Sequence, residues 1–524
     1  MTDWGSIRSL TIFHYHLLPG GVTDVIVLSV RAILTYMEGI KGITIVSGRA
    51  DNMDKVREKI LADMPPSATE KLSLEVLPSI DYREKMKTPL SPEALKTLLE
   101  ERFAGEDNLW MVHNYQLGKN PAFTQALLLA GENTKRPLLF YIHDFPECSR
   151  YANLAALKEG TDRSIYPQRT NIAYCVINDR DRQYLISAGI EEENIWLLNN
   201  PVPLGKTALT DGNEVKSALY KRYSGQFPAM KEKGKLFFYP VRSIRRKNVF
   251  EAAFLVKMLE EEVNFVVSLP GVSPAEKPYS DLVEKAFKEG LIPGLWGIGA
   301  DEETPILNYR NFWAASDLII SPSIQEGFGY LYLNALHWRK PLYTRYLDIM
   351  EGFKSLFKPD SSHFYEQVPL PLTKEERREL SRQYTGKIEN LSGHMPMGLK
   401  ETLMDKLEGL LQEDQFCFSY LTPEQQYNVL RKLDNDRAFR DEAIALNKEN
   451  LSALAKVSLS RVPDRDREIG ASFGSENYTD TLGSIISALE RGCREIKEER
   501  NIQEGLEERF FSLPYLRLLY GEGK

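Results

Sequence analysis

Short apolar runs alternate with amphipathic stretches through the first two hundred residues, and this constrains the fold more than any other feature of the chain. The runs are SLTIFHYHLL, GITIVSG, LSLEVLPSI, NLWMVHNY, PLLFYIHDF, IAYCVINDR and NIWLLNN. Most are apolar throughout, as strands buried on both faces are. Between the first two, Val22, Val25, Ile26, Val30, Ile33, Leu34 and Met37 recur on one face at helical spacing. Strands alternating with helices in this way predict a parallel sheet covered on both sides.

The alternation breaks at NNPVPLG, residues 199 to 205, where two prolines and a glycine read as a linker. It then resumes with KLFFYPVRS, VNFVVSLP, PGLWGIG, SDLIISPS and KPLYTRY. The helical patterns between these include Val249 to Glu260 and Pro305 to Ala315. From about residue 366 strand signals fade and charged helical sequence such as KEERRELSRQ takes over. The expectation is α/β: two Rossmann-like parallel-sheet domains, 1–203 and 204–500, the second carrying a helical extension. Residues 501–524 form a last helical segment expected to pack back on the first domain.

At 524 residues the chain is too long for one ordinary core. Its net charge of -8 argues against a general nucleic-acid binder. Cys148, Cys175, Cys417 and Cys493 lie far apart, which suits reduced thiols better than a disulfide framework or a zinc ribbon. The N-terminus lacks the pattern of a signal peptide. The most apolar stretch, Val22 to Leu34, is interrupted by Asp24 and Arg31 and is too short to span a bilayer. These features predict a cytoplasmic chain without a transmembrane segment, and they leave the oligomeric state open.

Three segments carry candidate chemistry. HYHLLPGGVT ends a strand and places Gly20 and Gly21 before a helix, where a backbone can approach an anionic ligand. PVRSIRRKN puts Arg242 at a strand end and Lys247 at the start of the next helix, two cations suited to a diphosphate. SPSIQEGFGYLYLNALHWRKP runs from a strand into a loop bearing Glu326, Gly327, Phe328 and Gly329. There Phe328, Leu331, Tyr332, Ala335 and Leu336 form an apolar helical face. Tyr330, Asn334 and His337 lie on a separate polar stripe.

This order resembles the family 4 retaining glycosyltransferases: Gly-Gly near the N-terminus, Arg-x4-Lys after a mid-chain strand, then P-S-x-x-E-G-F-G and a helix. The resemblance spans most of residues 10 to 350. It implies the GT-B fold, two Rossmann-like domains facing a cleft, and transfer from a nucleotide-linked sugar; UDP- and GDP-linked donors lead, no cofactor is expected, and Arg242 and Lys247 are expected to meet the leaving diphosphate's charge without a metal. By the same resemblance Arg242 and Lys247 hold the donor diphosphate and Glu326 lies against the transferred sugar. The backbone from Gly327 to Gly329 flanks sugar and phosphate, Gly20 and Gly21 approach the donor, and His143 faces the reacting sugar. LLNNPV resembles the junction opening the second domain. Position 334 departs from the family: the second acid of its E-x7-E motif is replaced by Asn334, which weakens the expected ribose contact.

The acceptor side is expected in HNYQLGKNP, where His113, Asn114 and Lys119 suit a small polar or phosphorylated acceptor. A basic stretch, 216 to 247, with Glu232 its one acid, would suit an anionic partner or a solvated surface. His14, His16, His113 and His143 all fall at strand ends, so a zinc-dependent hydrolase is an alternative. A nucleotide-sugar epimerase, a phosphorylase and a non-catalytic binding partner are further alternatives on the same fold.

Overall fold

The computed structural model describes residues 6–205, 211–300, 304–413, 415–496 and 501–519. The chain forms two compact units. The first comprises Met1–Pro203, His394–Pro396 and Glu468–Phe511, and the second Leu204–Gly393, Met397–Arg467 and Ser512–Lys524.

The first unit is built on seven strands. These are β1 (Ser9–His14), β2 (Gly42–Ser47), β3 (Leu72–Val76), β4 (Asn108–His113), β5 (Leu138–Ile142), β6 (Ile172–Val176) and β7 (Ile195–Leu197). Every pairing is parallel, in the order β3-β2-β1-β4-β5-β6-β7. β4, β5 and β6 are buried along their whole length, so the apolar runs of β5 and β6 and the apolar middle of β4 reflect cover on both faces. The helix Gly21–Tyr36 buries Val25, Ile26, Val30 and Ile33, and its C-cap Met37 is buried too, five of the seven positions the periodicity marked.

The second unit holds six strands: β8 (Lys235–Arg242), β9 (Val263–Leu269), β10 (Gly294–Trp296), β11 (Leu318–Ser321), β12 (Leu342–Arg345) and β13 (Ser362–Tyr365). They too are all parallel, ordered β10-β9-β8-β11-β12-β13. In each sheet the strand order reverses once, between β1 and β4 and between β8 and β11. Such switch points open a crevice outside the strands' carboxyl ends, where open α/β sheets take ligands.

The C-terminal third departs from the sequence expectation in two ways. Strand structure does not end with β12: β13 completes the second sheet, and Pro369–Leu370 pairs antiparallel with Phe416–Cys417. Helices do dominate, and those at Lys374–Leu391 and Pro423–Asn435 both start at capping boxes. The sequence places 468–500 with the second domain and 501–524 against the first, whereas Glu468–Phe511 belongs to the first unit and Ser512–Lys524 to the second. The helix Ser475–Arg491 buries Tyr478, Leu482, Ile485, Ile486 and Leu489 and packs on the helix Gly21–Tyr36. The helix Ile502–Phe510 packs on the helix Asp179–Ala188, with the Phe510 ring 5.2 Å from Phe145 and 5.3 Å from Tyr184. No described helix is long and apolar enough to cross a membrane.

Candidate functional site

In the second unit the switch point lies between the loops after β8 and β11. β8 carries an irregularity between Tyr239 and Arg242, which then re-pairs with Leu269. The chain turns through one 3-10 turn, Arg245–Lys247, before the helix Val249–Lys257. At three residues per turn, successive side chains leave in three directions. Arg245 goes into the core and donates to the carbonyls of Ser419 and Leu421. Arg246 and Lys247 instead reach Glu326.

Glu326 is 8% exposed and heavily engaged. Lys247 Nζ donates to its Oε1, Ser323 Oγ donates to the same oxygen at 2.5 Å, and Arg246 Nη1 lies 3.5 Å from its Oε2. Tyr239 OH shares a 2.6 Å hydrogen bond with Ser323 Oγ and lies 3.0 Å from the carbonyl of Lys247, tying the two loops together. Burial lowers the pKa of Lys247 to about 8, with the Arg246 and Arg242 charges adding to the fall and Glu326 opposing it. Burial raises Glu326, but Lys247 and Arg246 outweigh it and leave the carboxyl below its usual range. Lys247, placed by its sequence at the start of a helix, lies in the 3-10 turn before it. Its side chain is only 11% exposed, because the 3-10 turn directs it inward onto Glu326.

Arg242 stands slightly apart. Its guanidinium lies 3.6 Å from Glu276 and is 41% exposed. Gly329 is fixed by the fold itself: its φ is 99°, and a Cβ there would lie 2.8 Å from Tyr332 and 2.9 Å from Phe353. The helix after it, Tyr330–His337, starts two residues beyond Phe328, which is buried in the loop. Its apolar face uses Leu333 where the periodicity suggested Leu331. His337 is no part of a polar edge: it is buried, with Nδ1 2.7 Å from Asp466. Asn334 is half-buried, and its side chain makes no hydrogen bond among the described residues.

In the first unit the switch point gathers uncharged rings. His113 Nδ1 and His143 Nε2 share a 2.8 Å hydrogen bond with rings nearly parallel, and the His14 ring lies 6.1 Å from His113. Burial lowers His14 to about 3 and His143 to about 4 and takes His113 well below its usual value, with neighbouring imidazoles adding to the fall for His14 and His113. Asn114, at φ 54°, accepts from the backbone NH groups of His143 (2.7 Å) and Asp144 (3.2 Å). It therefore positions His143 and has its carbonyl oxygen occupied. Lys119 lies away from these rings, its ammonium 5.0 Å above the Tyr82 ring. Among the described residues no group of three or more His, Cys, Asp and Glu is arranged to hold a metal ion.

Gly20 has an extended backbone, and a Cβ at Gly20 or Gly21 would meet nothing closer than 3.9 Å. The fold therefore does not demand glycine at either position. Sequence reasoning missed Arg246, Ser323 and Tyr239. Arg246 adjoins Lys247, but only the 3-10 turn separates its direction from that of Arg245.

Two Rossmann-like parallel-sheet units, each with its motif residues at the switch point, define the GT-B class of architecture. No protein-family model matches the chain. It is 29% identical over 534 residues to the mannosylglucosyl-3-phosphoglycerate synthase of Petrotoga mobilis, across 98% of this chain and 100% of that one. Among solved structures it is similar to Anabaena HepE in complex with UDP-glucose, at 12% identity and TM-score 0.46, covering 85% of this chain and 99% of that one. It is likewise similar to the sucrose-phosphate synthase of Thermosynechococcus elongatus, at 11% identity and TM-score 0.49, covering 92% and 99%.

Proposed function

We propose that this chain is a glycosyltransferase that moves a hexose from a UDP- or GDP-linked donor to a hydroxyl of a small phosphorylated acceptor, with retention and without a metal. The observation that carries this reading is the cluster at the β8/β11 switch point, where Arg246 and Lys247 converge on Glu326 with Arg242 alongside. The full-length likeness to a synthase whose product is a glycosylated phosphoglycerate supports it.

Glycosyl transfer passes through an oxocarbenium-like state while negative charge grows on the departing diphosphate. Cations already in place meet that charge without reorganisation. In this reading Lys247, Arg246 and Arg242 take the diphosphate, and the Lys247–Glu326 pair loosens as it arrives. Glu326 is thereby released to accept from a hydroxyl of the transferred sugar. Asn334 takes a ribose hydroxyl as a neutral partner, a bond worth about 0.5–1.5 kcal/mol where a carboxylate gives about 1.5–3. His143, kept neutral by burial, presents an uncharged imidazole toward the reacting sugar, and the Gly20–Gly21 backbone approaches the donor.

The test is a panel of UDP- and GDP-sugars read for nucleotide release, with and without phosphorylated acceptors, before and after chelation. Acceptor-dependent release that survives chelation, with the donor's anomeric configuration kept in the product, is expected. Turnover that requires inorganic phosphate as co-substrate, or a divalent ion restored after chelation, would contradict it.

A further inference from the structure

Resting on that reading, we infer that the first unit carries a built anion subsite for the acceptor's phosphate, formed by Lys119, Arg150 and Arg49 around the phenol of Tyr82. Of these only Lys119 belongs to a candidate motif; Arg49, Tyr82 and Arg150 lie outside all of them. Each comes from a different loop at the carboxyl ends of adjacent parallel strands. Arg49 follows β2, Tyr82 follows β3, Lys119 follows β4 and Arg150 follows β5, with His16 following β1. Five neighbouring loops thus deliver one polar side chain each to the edge where this kind of sheet takes ligands.

The geometry is convergent. Lys119 Nζ lies 5.0 Å from the Tyr82 ring centre and the Arg49 guanidinium carbon 5.8 Å. His16 Nε2 is 3.1 Å from Tyr82 OH. Arg150 is close enough to act electrostatically on both Tyr82 and Lys119. The acids facing the group are Asp81, 2.8 Å from Arg49, Asp144, 3.3 Å from Arg150, and Glu84, which acts on Lys119 and Tyr82. Lys119 has no carboxylate within ion-pair distance among the described residues, and burial lowers its pKa. A half-buried ammonium with no carboxylate in ion-pair contact, Glu84 acting on it only from farther off, favours an incoming anion.

The loops are also held in place. Gly118 has φ 69°, and a Cβ there would lie 2.1 Å from the Asn153 carbonyl oxygen, so the chain before Lys119 is pinned. Arg83 NH donates to the Lys119 carbonyl at 2.8 Å, and Asn120 Nδ2 donates to the carbonyls of Ser79 and Asp81. A phosphate monoester matches this set: a dianion for the Lys119 ammonium, with the remaining N–H groups of Arg49 and Arg150, each already paired with one carboxylate, and the phenol as further donors.

The test is calorimetric titration of the full chain with 3-phosphoglycerate and with glycerate, which lacks the phosphate. Wild type is expected to bind 3-phosphoglycerate, and glycerate at least tenfold more weakly. Lys119→Met and Arg150→Met should each weaken 3-phosphoglycerate by roughly ten- to hundredfold, the worth of one charge-assisted hydrogen bond. Tyr82→Phe, a third loop's variant, reads the same site if a cation variant lowers the melting temperature. Equal 3-phosphoglycerate affinity in wild type and these variants, or glycerate binding as tightly, would overturn the subsite. UDP and GDP titrated into wild type test the transfer reading separately. Absence of nucleotide binding alongside the expected 3-phosphoglycerate pattern would remove that reading and leave the anion subsite standing.

Discussion

The two units share a topology, a parallel sheet whose order reverses once, yet their switch points hold opposite electrostatics. At β8/β11 the fold buries charge: Lys247 and Glu326 are about one-tenth exposed and rely on each other, Arg246 and Ser323. At β1/β4 it buries imidazoles in their neutral form, with His14, His113 and His143 all taken well below their usual pKa. Cations with a displaceable carboxylate suit a ligand that arrives carrying its own diphosphate. Neutral rings suit an uncharged reacting group, with charge kept to the loops bearing Arg49, Lys119 and Arg150.

The sharpest way to break this contrast is Lys247→Ala. Transfer should slow by about 10²–10³ if Lys247 stabilises the leaving diphosphate. The variant should also lose about 3 kcal/mol of stability, because Glu326 keeps only Arg246 and Ser323 as partners. Near-wild-type turnover in a folded variant would end the phosphate role.

Acid should strike the first unit. His143 titrates near 4 in the fold against about 6.5 unfolded, so the unfolded chain binds more protons between those values and stability falls as pH drops. The loss from His143 alone reaches roughly 3 kcal/mol by pH 4. Melting curves of His143→Gln should fall less steeply over this range than wild type; equal slopes would show that His143 does not resist its proton.

The second unit should respond at the other end of the scale. Lys247 titrates near 8, below its unfolded value, so its ammonium is lost from the free protein as pH rises through 8. Nucleoside diphosphate affinity should decline by several-fold from pH 7.5 to 9, and Lys247→Arg should flatten the decline. The smallest expected effect is Asn334→Glu, which should tighten the donor about fivefold if position 334 meets the ribose. Unchanged affinity would put the ribose elsewhere.

The parallel sheets were legible because β5 and β6 are apolar along their length, and β4 and β11 are apolar except at their ends. Glu326 and Lys247 were legible as motif members, but their ion pair was not, since it depends on which of Arg245, Arg246 and Lys247 a single 3-10 turn points inward. The burial of His337 was equally hidden, because its partner Asp466 lies 129 residues away. Residues 468–500 read as generic amphipathic helix, and periodicity alone does not say which unit such a helix covers.

Hydrogen–deuterium exchange of the full chain with and without UDP or GDP tests most directly the claim that the charged switch point takes the donor. Slowed exchange in residues 243–248 and 323–330 is the expected result. Binding of either nucleotide with no protection in those two loops would contradict it.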